Sequence, residues 1–152
     1  MILTEKQKDL VTDLQNQEEL CIQKYDFYEK SARDTALKEL FGSIKAEEQQ
    51  HYNSLSSLLK GTVPDVTSDD QAGANYQPKA SYNALSKSED KEYDQYLCTD
   101  CITTEKYTSS AYDNDLFQFG EPNVRRLLND IQTEEQNHAE KIYKYKSING
   151  MK

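Results

Sequence analysis

The two histidines of this chain, His51 and His138, each stand three residues after a glutamate, Glu48 and Glu135. On a helix that spacing puts both side chains on one face about a turn apart, so a carboxylate and an imidazole approach the same point from one side. The surrounding strings also correspond: Glu47-Glu48-Gln49-Gln50-His51 returns as Glu134-Glu135-Gln136-Asn137-His138. Carried upstream, the same offset pairs Glu18 with Glu105 and Tyr25 with Tyr112, and matches Thr12 with Thr99, Asp13 with Asp100, Asp26 with Asp113, Leu40 with Leu127 and Ile44 with Ile131. The two halves of the chain are related.

Helices must position these groups. Val11, Leu14, Glu18, Cys21, Tyr25, Tyr28 and Ala32 follow the alternating three-and-four spacing of one helix face, and Leu37, Phe41, Ile44, Glu48, His51, Leu55 and Leu58 follow it on the next. The second half repeats the scheme, first through Cys98, Cys101, Glu105, Thr108, Tyr112 and Phe119, then through Val124, Leu128, Ile131, Glu135, His138, Ile142 and Tyr145. In each seam, Glu or His stands where Leu is expected. Burying four carboxylates costs several kcal/mol per ion unless a cation compensates them or they are protonated. One Glu from each of two helices plus Glu-x-x-His from each of the other two is the ligand set of two-metal carboxylate sites in helical bundles. The expected ligands are therefore Glu18, Glu48, His51, Glu105, Glu135 and His138, holding two iron ions, or two manganese ions, per chain.

Glu47 and Glu134, each four residues before a histidine, are rival ligands. The seam leaves them on its flank, where the role open to them is to accept the free ring N–H of a histidine on a neighbouring helix. Tyr25 and Tyr112 lie two turns beyond Glu18 and Glu105. They serve either as core residues with a paired hydroxyl, or as donors to a ligand carboxylate or redox-active phenols near the metals.

The fold class this implies is all-α: a ferritin-like four-helix bundle made of two related helical hairpins joined by a long crossover, as one domain over 1–152. The helices are expected at about 4–33, 36–60, 88–118 and 122–148, with the crossover at about 61–87, where Gly61, Pro64, Pro78 and many Asp, Ser and Asn residues fall. Pro122 suits the first turn of the last helix, and Asn149-Gly150 its C-terminal cap. Two hairpins in parallel need a connection as long as the bundle, and some 25 residues supply it.

With 152 residues and a net charge of −9, the chain fits one acidic domain and disfavours nucleic-acid partners, which need a basic surface. No apolar run is long enough to predict a membrane span or a signal core. The three cysteines, Cys21, Cys98 and Cys101, are an odd number, which predicts reduced thiols. Cys98 and Cys101 are read as core residues, with a metal-reducing or disulfide-forming thiol pair as the alternative.

The chain resembles the spore coat protein F family, a branch of the ferritin-like superfamily. The resemblance lies in Leu3-Thr4-Glu5-Lys6, Phe41-Gly42-Ser43-Ile44-Lys45-Ala46-Glu47-Glu48-Gln49-Gln50-His51, Leu97-Cys98-Thr99-Asp100, Thr104-Glu105-Lys106-Tyr107, Pro122-Asn123-Val124-Arg125-Arg126-Leu127-Leu128-Asn129 and Asn149-Gly150-Met151. It spans nearly the whole chain. More distantly the chain is similar to rubrerythrins, which share the Glu, then Glu-x-x-His pattern and a Tyr at the place of Tyr25. Rubrerythrins carry a further Glu where this sequence has Thr108, and many carry a rubredoxin-like domain absent here. The resemblance implies a place in the spore coat and other coat proteins as partners, while the lack of a span or signal core predicts cytoplasmic synthesis and the ligand set predicts a metal pair that reduces dioxygen or hydrogen peroxide. A structural coat protein with an inert or vestigial metal site is the alternative, and a homodimer is a further expectation.

Overall fold

Each long helix begins where its sequence supplies a cap. In the computed structural model, which describes residues 1–152, α1 (Glu5–Ser31) opens on a capping box in which the backbone N–H of Thr4 and of Gln7 each donates to the other's side-chain oxygen. The next helix, α2 (Thr35–Leu59), is capped by Asp34. A single turn, α3 (Ala72–Asn75), interrupts the crossover. Ser88 caps α4 (Glu89–Asp115), and α5 (Pro122–Ile148) starts on Pro122. At the far end of α5, Asn149 is the cap residue and Gly150 turns the chain with φ +67°.

The helix ends fall within one residue of expectation except at the ends of the first and third long helices. The first helix stops at Ser31 rather than 33, because Ala32 is extended (φ −55°, ψ 148°). The third long helix tightens into a 3-10 turn, Leu116–Gln118, instead of staying α-helical to 118. The crossover, where the spacing places no helix, contains the one-turn α3.

Side-chain pairs fix the relative directions. Along α1, Cys21, Tyr25 and Tyr28 meet Thr108, Glu105 and Asp100 of α4, so ascending numbers on one helix meet descending numbers on the other. Likewise Glu47 and His51 of α2 meet His138 and Glu134 of α5. Helices α1 and α2 form one antiparallel pair and α4 and α5 the other; the pairs meet through α1–α4 and α2–α5 contacts. It follows that α2 and α4 lie diagonally and run the same way. The chain leaving α2 must therefore return along the whole bundle, about 37 Å for a helix of 25 residues, before α4 can begin.

That return is tied down along its length. Ser68 bonds Asp130, and Asn137 bonds the Gly73 N–H and the Asp69 carbonyl. Lys144 donates to the carbonyls of Gly73, Ala74 and Tyr76, and Lys91 to those of Asn83, Ala84 and Ser86. These two lysines gather crossover carbonyls, of which only those of Gly73 and Asn83 also accept a backbone N–H.

The interior contains two apolar clusters. One gathers Tyr25, Leu37, Phe41, Ile44, Cys98, Ile142 and Tyr145 with their neighbours at the end where α4 starts. The other gathers Val11, Leu14, Leu55, Tyr112, Val124 and Leu128 with theirs at the opposite end. Between them lies a polar layer. No helix is long and apolar enough to cross a membrane.

Candidate metal centre

The polar layer is where the six interrupting residues of the four seams converge. Glu18, Glu48, Glu135 and His138 are fully buried; Glu105 and His51 retain 1% and 3% exposure. Each sits one turn from apolar seam residues, such as Leu14 beside Glu18 and Ile44 beside Glu48, so helix packing drags the carboxylates inward along with their neighbours.

Within the layer, two residues are shared and four are not. Glu48 reaches both histidines, with Oε1 3.0 Å from His138 Nδ1 and Oε2 3.3 Å from His51 Nδ1. Glu135 does the same, with Oε1 2.9 Å from His51 Nδ1 and Oε2 3.8 Å from His138 Nδ1. Glu18 approaches His51 alone, at 3.6 Å, and Glu105 approaches His138 alone, at 3.5 Å. Two overlapping quartets result, Glu18-Glu48-His51-Glu135 and Glu48-Glu105-Glu135-His138, each with four donor atoms mutually within 4.8 Å. The imidazoles stack with centroids 5.8 Å apart.

Outside the layer, the histidines are oriented by a second pair of carboxylates. His138 Nε2 lies 2.6 Å from Glu47 Oε2, and His51 Nε2 is paired with Glu134. A carboxylate on Nε2 holds the proton there and turns Nδ1 inward, so that Nδ1 is the nitrogen an ion would take once its own proton is displaced. Glu47 and Glu134 thus occupy the flank and meet the ring nitrogens of the opposite hairpin. They border a polar hollow of about 270 Å³ beneath the crossover, whose other walls include Thr67, Asp69 and Asn137. The crossover therefore lies over the outer ends of the histidines.

The tyrosines also reach across. Tyr25 donates to Glu105 and Tyr112 to Glu18, each to the glutamate of the other half and not to the one on its own helix. Both phenols are fully buried, and burial, then the neighbouring carboxylate, pushes their ionisation well above the ordinary range.

Burial and mutual repulsion dominate the electrostatics of the layer. Burial, then the Glu48 charge, pushes Glu18 up to about 8; burial, then the charges of Glu105 and Glu18, pushes Glu135 up to about 7. Glu105 is raised by burial and by Glu48. Burial and Glu135 also push Glu48 up, but hydrogen bonds to Glu18, His138 and His51 outweigh them and hold it below its ordinary value. Burial disfavours charge on both histidines, yet the surrounding carboxylates raise them well above the usual imidazole range. Without another cation, the layer neutralises itself with protons. Even so, both oxygens of Glu135 and one each of Glu18 and Glu105 have no hydrogen-bond partner. Buried carboxylate oxygens left unpaired are costly, and a divalent cation satisfies several at once. The residues present fit such an ion.

Two other features have different places. Cys21, Cys98 and Cys101 are buried and unbonded; Cys98 and Cys101 lie in the apolar cluster with their thiols pushed up by burial. Asp94, which the sequence reading passed over, is fully buried and accepts the N–H groups of Arg33 and Asp34 and the Tyr82 hydroxyl. Extending the Cys101–Cys98 seam back one more turn falls on Asp94, so the same rule that found the glutamates finds it too.

The comparisons with known proteins bear on the second helical pair. Residues 93–151 match the Coat F domain family. The Coat F match takes in nearly all of α4 and α5, and with them Glu105, Glu135 and His138. It does not extend to the first helical pair, over which the resemblance seen in the sequence also runs. No curated protein and no solved structure matches the chain.

Proposed function

We propose that the polar layer holds two divalent metal ions, iron or manganese, in a ferritin-like bundle associated with the spore coat. The observation that carries this reading is the position of Glu48 and Glu135, each between the two histidines with the means to bridge two ions. Glu18 and His51 would complete one ion's ligands, and Glu105 and His138 the other's. Four carboxylates and two divalent cations balance in charge, which supports the stoichiometry. The parallel diagonal helices and the full-length crossover support the ferritin-like assignment.

Bound together, two such ions supply one-electron steps and open coordination positions of the kind needed to reduce dioxygen or hydrogen peroxide. The chain's own residues do the rest. Glu47 and Glu134 keep the protons on Nε2 so that Nδ1 faces inward, Tyr25 and Tyr112 hold the end carboxylates, and the two apolar clusters exclude water from both ends.

The similarity of residues 93–151 to the Coat F domain supports the coat association, with other coat proteins as partners. It equally favours a second reading, a structural coat protein whose metal site is inert. Thr108, buried opposite Cys21, adds no carboxylate to the layer, which also suits an inert site. Metal analysis of protein produced with iron and manganese supplied, beside Glu48→Ala and Glu135→Ala, tests the site. Two ions per chain, lost in both variants, are expected; a folded, metal-free wild type would sink the metal reading. Turnover of Fe(II) or peroxide by the loaded protein separates a redox centre from an inert one.

A further inference from the structure

The repeat relates the two sides of the metal layer, yet the structure makes them unequal. Between α4 and α5 a surface groove of about 320 Å³ is lined by Glu105, Lys106, Ser109, Glu135, Gln136 and Ala139. Its floor is made by two residues of the layer that are 1% and 0% exposed and carry three of the unpartnered carboxylate oxygens. Its walls are small: Ser109 stands one turn beyond Glu105, and Ala139 one turn beyond Glu135. At the equivalent places on the first hairpin, one turn beyond Glu18 and Glu48, stand Ile22 and Tyr52, both partly buried. The rim differs as well, with Lys106 on the grooved side where the other has Glu19, both exposed.

We propose that the α4–α5 groove is the door through which a small exogenous ligand, neutral or singly negative and of only a few atoms, reaches the metal layer, and that Ile22 and Tyr52 shut the corresponding face of α1–α2. This rests on the dinuclear reading above. A ligand of the peroxide or azide class fits a gap walled by Ser and Ala, and Lys106 favours the approach of an anion where Glu19 would oppose it. The ligand would arrive beside Glu105 and Glu135, on the side of the layer where Glu105 and His138 would hold an ion.

The test uses full-length protein loaded with Co(II), its content verified by metal analysis, and follows azide binding by stopped-flow visible absorbance. The exchange Ser109→Ile/Ala139→Tyr gives the grooved side the residues of the shut one. Two cobalt ions per chain should remain, while azide association and dissociation both slow about tenfold and the dissociation constant stays unchanged, as for a gate rather than a binding residue. Adding Ile22→Ser/Tyr52→Ala opens the other face and should restore the rate. If the bulky pair impairs folding, Ser109→Val/Ala139→Val should slow azide to a lesser degree in the same direction. Fully loaded, folded closing variants with the wild-type azide rate would overturn the door alone. A folded wild type that takes up no cobalt would overturn the dinuclear reading and the door with it.

Discussion

Tyr25 on α1 donates its hydroxyl to Glu105 on α4 at 2.5 Å, and the repeat returns the same bond from Tyr112 to Glu18. Each tyrosine therefore fastens the opposite hairpin. Tyr25→Phe and Tyr112→Phe should each destabilise the metal-free protein by about 1–3 kcal/mol, the cost of a buried polar group left unsatisfied, because each leaves a buried carboxyl oxygen without its donor. Urea unfolding checks this. If either variant is as stable as wild type, the bond does not hold the hairpins together.

The pH response of the metal-free protein should be the reverse of that of the loaded protein. Glu18 and Glu135, raised to about 8 and about 7 from 4.5, keep protons in the folded chain that the unfolded chain has already released. His51 and His138, raised above 6.5, add stability that is complete below 6.5 and is lost as pH climbs through their folded values. All four act in one direction, so metal-free stability should fall between about pH 5 and pH 8. Divalent ions displace those protons, so apparent metal affinity should rise over the same interval. Chemical denaturation at pH 5.5 and pH 8, with and without Mn(II), measures both slopes; a metal-free chain more stable at pH 8 contradicts the assignment.

Glu47→Gln and Glu134→Gln keep size and hydrogen bonding but remove the charge behind each imidazole. Metal affinity should fall about 10–100-fold in each, with the fold intact, as for other partners of ligating histidines. Competition with a chromophoric chelator reads the change. Affinity equal to wild type in both would mean the flanking carboxylates do not orient the rings.

Asp94→Ala should be among the more damaging single changes far from the polar layer. It strips partners from two backbone N–H groups and from the Tyr82 hydroxyl at once, where the α1–α2 turn meets the start of α4. A loss of about 3 kcal/mol is expected from groups left unsatisfied, and thermal melting shows it as a lowered Tm.

Much of this architecture was legible because one rule governs it: a residue in an apolar seam is buried whatever its type. That rule located Glu18, Glu48, His51, Glu105, Glu135 and His138 in a single layer, and it set Glu47 and Glu134 on the flank. What it lacked was the direction of α1 against α4, and the crossed pairing of Tyr25 and Tyr112 follows only from that direction. The crossover was opaque for another reason. Its path is held by Lys91 and Lys144 collecting carbonyls and by Asn137 and Asn149 meeting backbone N–H groups, contacts with no periodicity to read.

The charged layer between two apolar clusters also works as a ruler. Leucine and isoleucine at either end would tolerate a helix sliding by one turn, about 5.4 Å, since one aliphatic contact replaces another. For α5, that slide would bring Ile131 into the layer and strand His138 among hydrocarbon, or bring Ile142 in and strand Glu135. Only one alignment of the four helices brings all four glutamates and both histidines to a common height, so the most expensive residues to bury are also the ones that forbid every neighbouring alignment.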